Sequence, residues 1–226
     1  MKIGVLLSGS GVYDGSEIHE SVLSLLALSN NKLEYVCLAP NINQYHVVNH
    51  INGEEISEAR SVLIESARIA RGNIIALDCI DFNTLSALVI PGGFGVAKNL
   101  SNWAINNVDC QVNEDVKELI LHCVKKKKPI VSLCISPVII AKSLEGTNYY
   151  PKLTLGNIRD KSDYDIAKLS NELSELGATM YDKSIKEISF DANLNIISAP
   201  CYMLEASIEE VYLNINKAIQ KLKEIL

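Results

Sequence analysis

Four short apolar runs recur along the chain: IGVLL at 3–7, LEYVCLA at 33–39, SALVI at 86–90 and PIVSL at 129–133. Each is too short for a helix of ordinary length, and such continuous runs mark strands buried on both faces. The stretches between them carry helical spacing instead. In residues 16–29 the apolar positions Ile18, Val22, Leu25, Leu26 and Leu28 fall on a helical period, with Ser16 the expected N-cap and His19 and Glu20 in the first turn. Strands alternating with helices predict an α/β chain whose mainly parallel sheet is covered on both faces. Further helices are expected near 57–71, 113–125, 163–175 and 204–223.

Two segments interrupt this alternation. YHVVNHINGEEIS carries Asn52-Gly53, a strong hairpin signal, and reads as an antiparallel excursion from the main sheet. A second hairpin is expected to join 187–190 to 194–198 across 191–193. The chain has 226 residues, 48% of them hydrophobic, enough to bury a substantial core. With no internal repeat, low-complexity tract or Pro/Gly linker, residues 1–226 read as one domain.

A net charge of -6 gives the chain no pull toward nucleic acid or anionic membranes, and neither is expected as a partner. The one basic run, residues 125–128, ends a predicted helix, where cations suit the negative end of the helix dipole. No apolar stretch reaches the roughly 18 to 20 residues of a membrane helix, and the apolar core at 3–7 is too short for a secretory signal, so a cytosolic protein is expected. The six cysteines at 37, 79, 110, 123, 134 and 201 contain no Cys-x-x-Cys pair, which argues against a zinc site and a disulfide framework. Reduced thiols, most of them packing residues, are the reading for the set.

Cys134 is the exception. It stands where the run at 129–133 stops and Pro137 suits the first turn of a helix, the strand-to-helix elbow that presents a nucleophile. Amides at such an elbow favour the thiolate; the alternative is a buried small hydrophobe. After SALVI comes Pro91-Gly92-Gly93-Phe94-Gly95, a turn whose main-chain amides suit an oxyanion, together with the amide of Ile135 after the nucleophile. Glu17 follows the first strand, and a parallel sheet brings it to the same carboxyl edge as Gly93 and Cys134, placed for acid–base work. The alternative for Glu17 is a solvated carboxylate in the first turn of a helix.

These residues resemble the DJ-1/PfpI superfamily, through Glu17 after the first strand, the turn from Val89 to Gly93, and Cys-x-x-Pro from Cys134 to Pro137. The likeness is closer to one branch, the ElbB-type glyoxalase-like proteins associated by name with isoprenoid biosynthesis. LSGSGVYDGSEIHE, VVNHINGE, VIPGGFGVAKNLSN, the CISP elbow and APCYM carry it across nearly the whole chain. The resemblance implies a flavodoxin-like three-layer sandwich of the class I glutamine amidotransferase type, with a hairpin insertion. It implies a cofactor-independent, metal-free glyoxalase that converts glyoxal or methylglyoxal to a hydroxy acid and forms a homodimer. Cys134 makes the hemithioacetal, Glu17 moves the proton, and the amides of Gly93 and Ile135, beside Gly92, hold the oxygen. A small dicarbonyl suits a compact polar pocket.

The chain departs from the superfamily's hydrolytic members. Ile135 stands where the proteolytic branch has a His directly after the nucleophile, and the last His, His122, precedes Cys134. Both hydrolytic triads are therefore excluded in their usual form, and a third catalytic residue is unassigned. The alternatives to a glyoxalase are a redox-sensing or chaperone-like protein with an oxidisable Cys134, and a subunit that modulates another enzyme.

Gly9-x-Gly11-x-x-x-Gly15 looks like a dinucleotide loop, but the second strand ends at Ala39-Pro40 without the acidic residue a ribose needs. Its glycines bend the loop presenting Glu17, with Asp14 helping to fix it. His46 and His50 belong to a strand, which sets them too far apart to share a metal. His19 reads as a surface or interface residue, and Cys201 as packing near the pocket rim.

Overall fold

The computed structural model describes residues 2–226. Its elements begin β1 (Lys2–Leu6), α1 (Ile18–Asn30), β2 (Tyr35–Ala39), α2 (Val62–Ile69), β3 (Ile74–Ala76), β4 (Leu85–Ile90), α3 (Phe94–Lys98) and α4 (Trp103–Asn106). They continue α5 (Glu114–Lys125), β5 (Ile130–Leu133), α6 (Pro137–Leu144), β6 (Lys152–Leu153), α7 (Ile166–Glu175), β7 (Thr179–Met180), β8 (Ser189–Asp191), β9 (Ile196–Ala199) and α8 (Ile208–Ile225). The central sheet runs β3-β2-β1-β4-β5-β9-β8, parallel except for β8, which lies antiparallel to β9. β6 and β7 form a separate parallel pair.

Period-2 alternation divides the strand side chains between two cores. Ile3, Val5, Val89 and Val131 face α1 and α8, meeting Leu28 and Ile215. Leu6, Leu88, Ile90 and Ile130 face the other way, toward Leu119 of α5 and Ile140 of α6. Burial of each such side chain stabilises by about 1.5–3 kcal/mol, and the two faces together make the expected three-layer α/β arrangement of flavodoxin-like type. β2 and β4 flank β1 on opposite sides. The connections leaving β1 and β4 therefore diverge and open a crevice at the carboxyl ends of the strands.

Local details differ from the sequence expectations where long-range contacts intervene. The helix expected at 57–71 covers only Val62–Ile69, because residue 61 is bridged to Asn43 and the Arg60 carbonyl accepts the Gln44 N–H at 2.8 Å. The Asn52-Gly53 excursion turns back as expected, with Gly53 at φ 76°, yet it pairs through an isolated bridge between Val48 and Glu55 rather than regular strands. The hairpin of β8 and β9 forms across a turn in which Asp191 Oδ1 accepts the N–H groups of Asn193 and Leu194. Ser16 does not cap α1. Its hydroxyl accepts the Ser8 N–H at 2.8 Å, tying the loop to the end of β1, and the cap is Glu17.

Candidate functional site

β5 delivers Cys134 to the elbow in left-handed backbone, φ 55°, and Pro137 opens α6. A non-glycine residue in that region stores about 1–3 kcal/mol of strain, which the surroundings must offset. They do so from both neighbouring strands. The Cys134 N–H donates to the Ala199 carbonyl at 3.0 Å, while Ser136 Oγ donates to the Ile90 carbonyl at 3.0 Å and lies 2.7 Å from Ser132 Oγ.

The acid beside the sulfur is Glu20. Its Oε2 accepts the Gly92 N–H at 2.8 Å and its Oε1 the Tyr202 N–H at 3.2 Å, so three elements converge on one fully buried carboxyl. A Cβ on Gly92 would lie 2.7 Å from Glu20 Oε2 and 2.8 Å from Cys134 Sγ, which is why glycine is required there. Burial, reinforced by the charge of Glu17, pushes the Glu20 carboxyl up to about 8, against the two amides and the hydrogen bond from the Cys134 thiol. Burial first, then Glu20 and Cys201, pushes the Cys134 thiol well above its usual range, with the Ile135 N–H pulling the other way. The resting pair is a thiol next to a largely protonated acid. This corrects the expectation of a thiolate, since the desolvation of a sulfur 5% exposed outweighs the favourable amide.

Glu17, the acid singled out from sequence, lies one helical turn before Glu20. Its Oε2 accepts the Glu20 N–H at 2.6 Å, and the side chain, 9% exposed, lines the cavity in front of Cys134. Sequence reasoning placed Glu20 in the first turn of α1 and assigned it no chemistry. The signal was present in the Glu-x-x-Glu spacing, which sets two carboxyls on one helix face. Gly92 is corrected as an oxyanion donor because Glu20 already occupies its N–H. Gly93, at φ 101°, has an N–H without an acceptor among the described residues, and the Ile135 N–H is turned toward the Cys134 sulfur.

The cavity holds about 220 Å³ and has mostly apolar walls, including Val12, Phe94, Trp103, Ile135, Leu169 and Met203, which corrects the expectation of a polar pocket. α3 and α4, two short helices not anticipated from sequence, supply Phe94 and Trp103. Cys201 sits behind the sulfur rather than at the rim. It is fully buried at φ 46°, and its N–H donates to Asn214 Oδ1 at 3.1 Å. Outside the cavity lining, His19 Nδ1 lies 2.9 Å from the hydroxyl of Tyr202, a lining residue. Asp14 fixes the preceding loop by accepting the Val48 N–H at 2.8 Å. His46 and His50 face Glu55 and Asp14 respectively, at 3.5 and 3.8 Å.

No family model matches the chain. Among curated proteins it is 36% identical to the mitochondrial ES1 protein homolog of Rattus norvegicus, over 99% of this chain and 84% of that protein. It is 35% identical to the human mitochondrial glutamine amidotransferase-like class 1 domain-containing protein 3, over 99% of this chain and 83% of that protein. Among solved structures, an isoprenoid biosynthesis protein with an amidotransferase-like domain from Ehrlichia chaffeensis superposes with a TM-score of 0.89 at 34% identity, covering 100% of both chains. Drosophila melanogaster DJ-1beta, 16% identical, shares the fold with a TM-score of 0.54 over 99% of this chain and 95% of its own. The cytosolic expectation is overturned by the curated relatives, which are named as mitochondrial proteins in rat, human and zebrafish. That expectation rested on the lack of a long apolar segment, which separates membrane from water and does not tell one aqueous compartment from another.

Proposed function

The chain belongs to the family of ES1 and glutamine amidotransferase-like class 1 domain proteins, and we propose that it is a cofactor-independent glyoxalase. One observation carries the reading: the Cys134 sulfur and the Glu20 carboxyl crowd the same face of Gly92, while Glu17 and Cys134 line one cavity. A carboxyl raised to about 8 is, once ionised, a stronger base than an ordinary carboxylate, which suits it to take the proton of the raised Cys134 thiol.

In the proposed reaction, ionised Glu20 accepts the thiol proton as Cys134 Sγ bonds to the aldehyde carbon of the dicarbonyl. The carbonyl electron pair becomes an oxyanion held by the Gly93 and Ile135 amides, and protonation gives a hemithioacetal. Glu17 removes the hydrogen of that carbon as a proton and returns it to the neighbouring carbonyl carbon. One carbon is oxidised and its neighbour reduced, leaving the thioester of a hydroxy acid. Water adds to the thioester, the sulfur leaves with a proton, and the hydroxy acid is released; no external oxidant enters.

A redox-sensing thiol draws less support, since sensing favours an exposed thiol of low pKa and Cys134 has the opposite environment. Incubation of the purified protein with glyoxal, methylglyoxal and phenylglyoxal, with hydroxy acid as the readout, tests the proposal. Equal rates for wild type and Cys134→Ala would defeat it.

A further inference from the structure

The cavity in front of Cys134 is larger and more apolar than a two- or three-carbon dicarbonyl needs. Its volume of about 220 Å³ far exceeds the roughly 10–15 Å³ that one water molecule needs on a comparable measure. Glyoxal has no carbon beyond its two carbonyls, and methylglyoxal adds one methyl. The remaining space is bounded by Phe94, Trp103, Leu169 and Met203, drawn from four separate segments of the chain, so the apolar surface is a built wall rather than one helix face. Trp103 is 3% exposed and cannot turn out to water without opening the core beside it.

The charge pattern is equally selective. No Lys, Arg or His lines the cavity among the described residues. Lys98, next to Ala97 in sequence, is outside the lining, its Nζ donating to the Tyr13 carbonyl at 2.9 Å and lying 5.2 Å from the Phe94 ring centroid, and Lys168, next to Leu169, has its Nζ 3.8 Å from Glu172 Oε1. Glu17 contributes an acid instead. A carboxylated or phosphorylated substrate would meet that acid with no counter-ion and lose its hydration against apolar walls.

We infer that the cavity takes an uncharged ligand carrying an apolar group bulkier than methyl next to its electrophilic carbon. For the reaction proposed above, on which the choice of substrate rests, this means an aryl or branched-alkyl glyoxal.

Two measurements on the full chain separate the ligand class from the reaction. In the first, alkylation of Cys134 by N-phenyl iodoacetamide, iodoacetamide and iodoacetate is followed by peptide mass mapping, each rate normalised to a free thiol. The expected order is phenyl fastest and carboxylate slowest, with a spread of about tenfold or more. Leu169→Lys, a half-buried cavity position on α7, is expected to raise the iodoacetate rate selectively. Iodoacetate labelling as fast as either amide reagent overturns the inference. In the second, kcat/KM for hydroxy acid formation is expected to be about 10- to 200-fold higher with phenylglyoxal than with glyoxal, the range one apolar contact set can discriminate. Equal values overturn it. Turnover of no oxoaldehyde, together with the expected labelling order, removes the glyoxalase reaction and upholds the ligand class.

Discussion

Glu20 Oε2 accepts the Gly92 N–H at 2.8 Å, joining the first helix to the turn that follows β4 across the crevice where the sheet's connections diverge. The same carboxyl faces the Cys134 sulfur, so the contact that holds the turn in place also sets the protonation of the nucleophile. A buried acid bonded to two amides has little freedom to move, and its partners share its position.

Gly92→Ala is expected to disrupt the site more than its surroundings. The added methyl would stand 2.4 Å from Cys134 Cβ and 2.7 Å from Glu20 Oε2, inside contact distance of both. Overpacking of this kind costs about 1–3 kcal/mol. Urea denaturation should show that loss, and Cys134 alkylation rates should change at the same time. A variant with wild-type stability and wild-type labelling would contradict this geometry.

Glu20 makes folding stability depend on pH in an identifiable direction. Its folded-state value is raised to about 8 from the ordinary 4.5, so the native state holds a proton that the unfolded state has released between those values. The stabilisation is fully present below about pH 4.5 and is lost as pH rises through about 8. Comparison with Glu20→Gln isolates it: over that window wild type should lose stability relative to the neutral variant, by on the order of a few kcal/mol. Thermal unfolding of both proteins across the window measures the difference, and parallel curves would refute the assignment.

Activity should follow the opposite slope. If ionised Glu20 takes the thiol proton, hydroxy acid formation rises with pH through about 8 and falls on acidification. Glu20→Gln and Glu17→Gln should each lower kcat by about 10²–10⁴-fold, the usual range for general acid–base groups. A flat pH–rate profile in the wild type would contradict the role of Glu20.

Asn214 secures the floor of the site from α8. Its Oδ1 accepts the Cys201 N–H at 3.1 Å and its Nδ2 donates to the Glu187 carbonyl at 2.8 Å, with the side chain 1% exposed. Asn214→Ala strands buried polar groups, at a cost of about 1–3 kcal/mol each. Chemical denaturation should register the loss, whereas replacement of exposed Lys217 on the same helix should not.

The alternation of buried strands and amphipathic helices, the elbow at Cys134, the glycine turn at Gly92 and Gly93, and the β8–β9 hairpin were all legible in the sequence. Each depends on apolar periodicity or backbone restriction within a few residues, and that information is local. Which of two glutamates meets the sulfur, how burial shifts the proton, and how apolar the cavity is were decided only by tertiary structure. Glu17 and Glu20 differ by one turn of the same helix, and Gly92 and Tyr202, which hold one of them inward, lie 72 and 182 residues from it. Desolvation likewise sums over every segment packed around a group, so no stretch of sequence contains it.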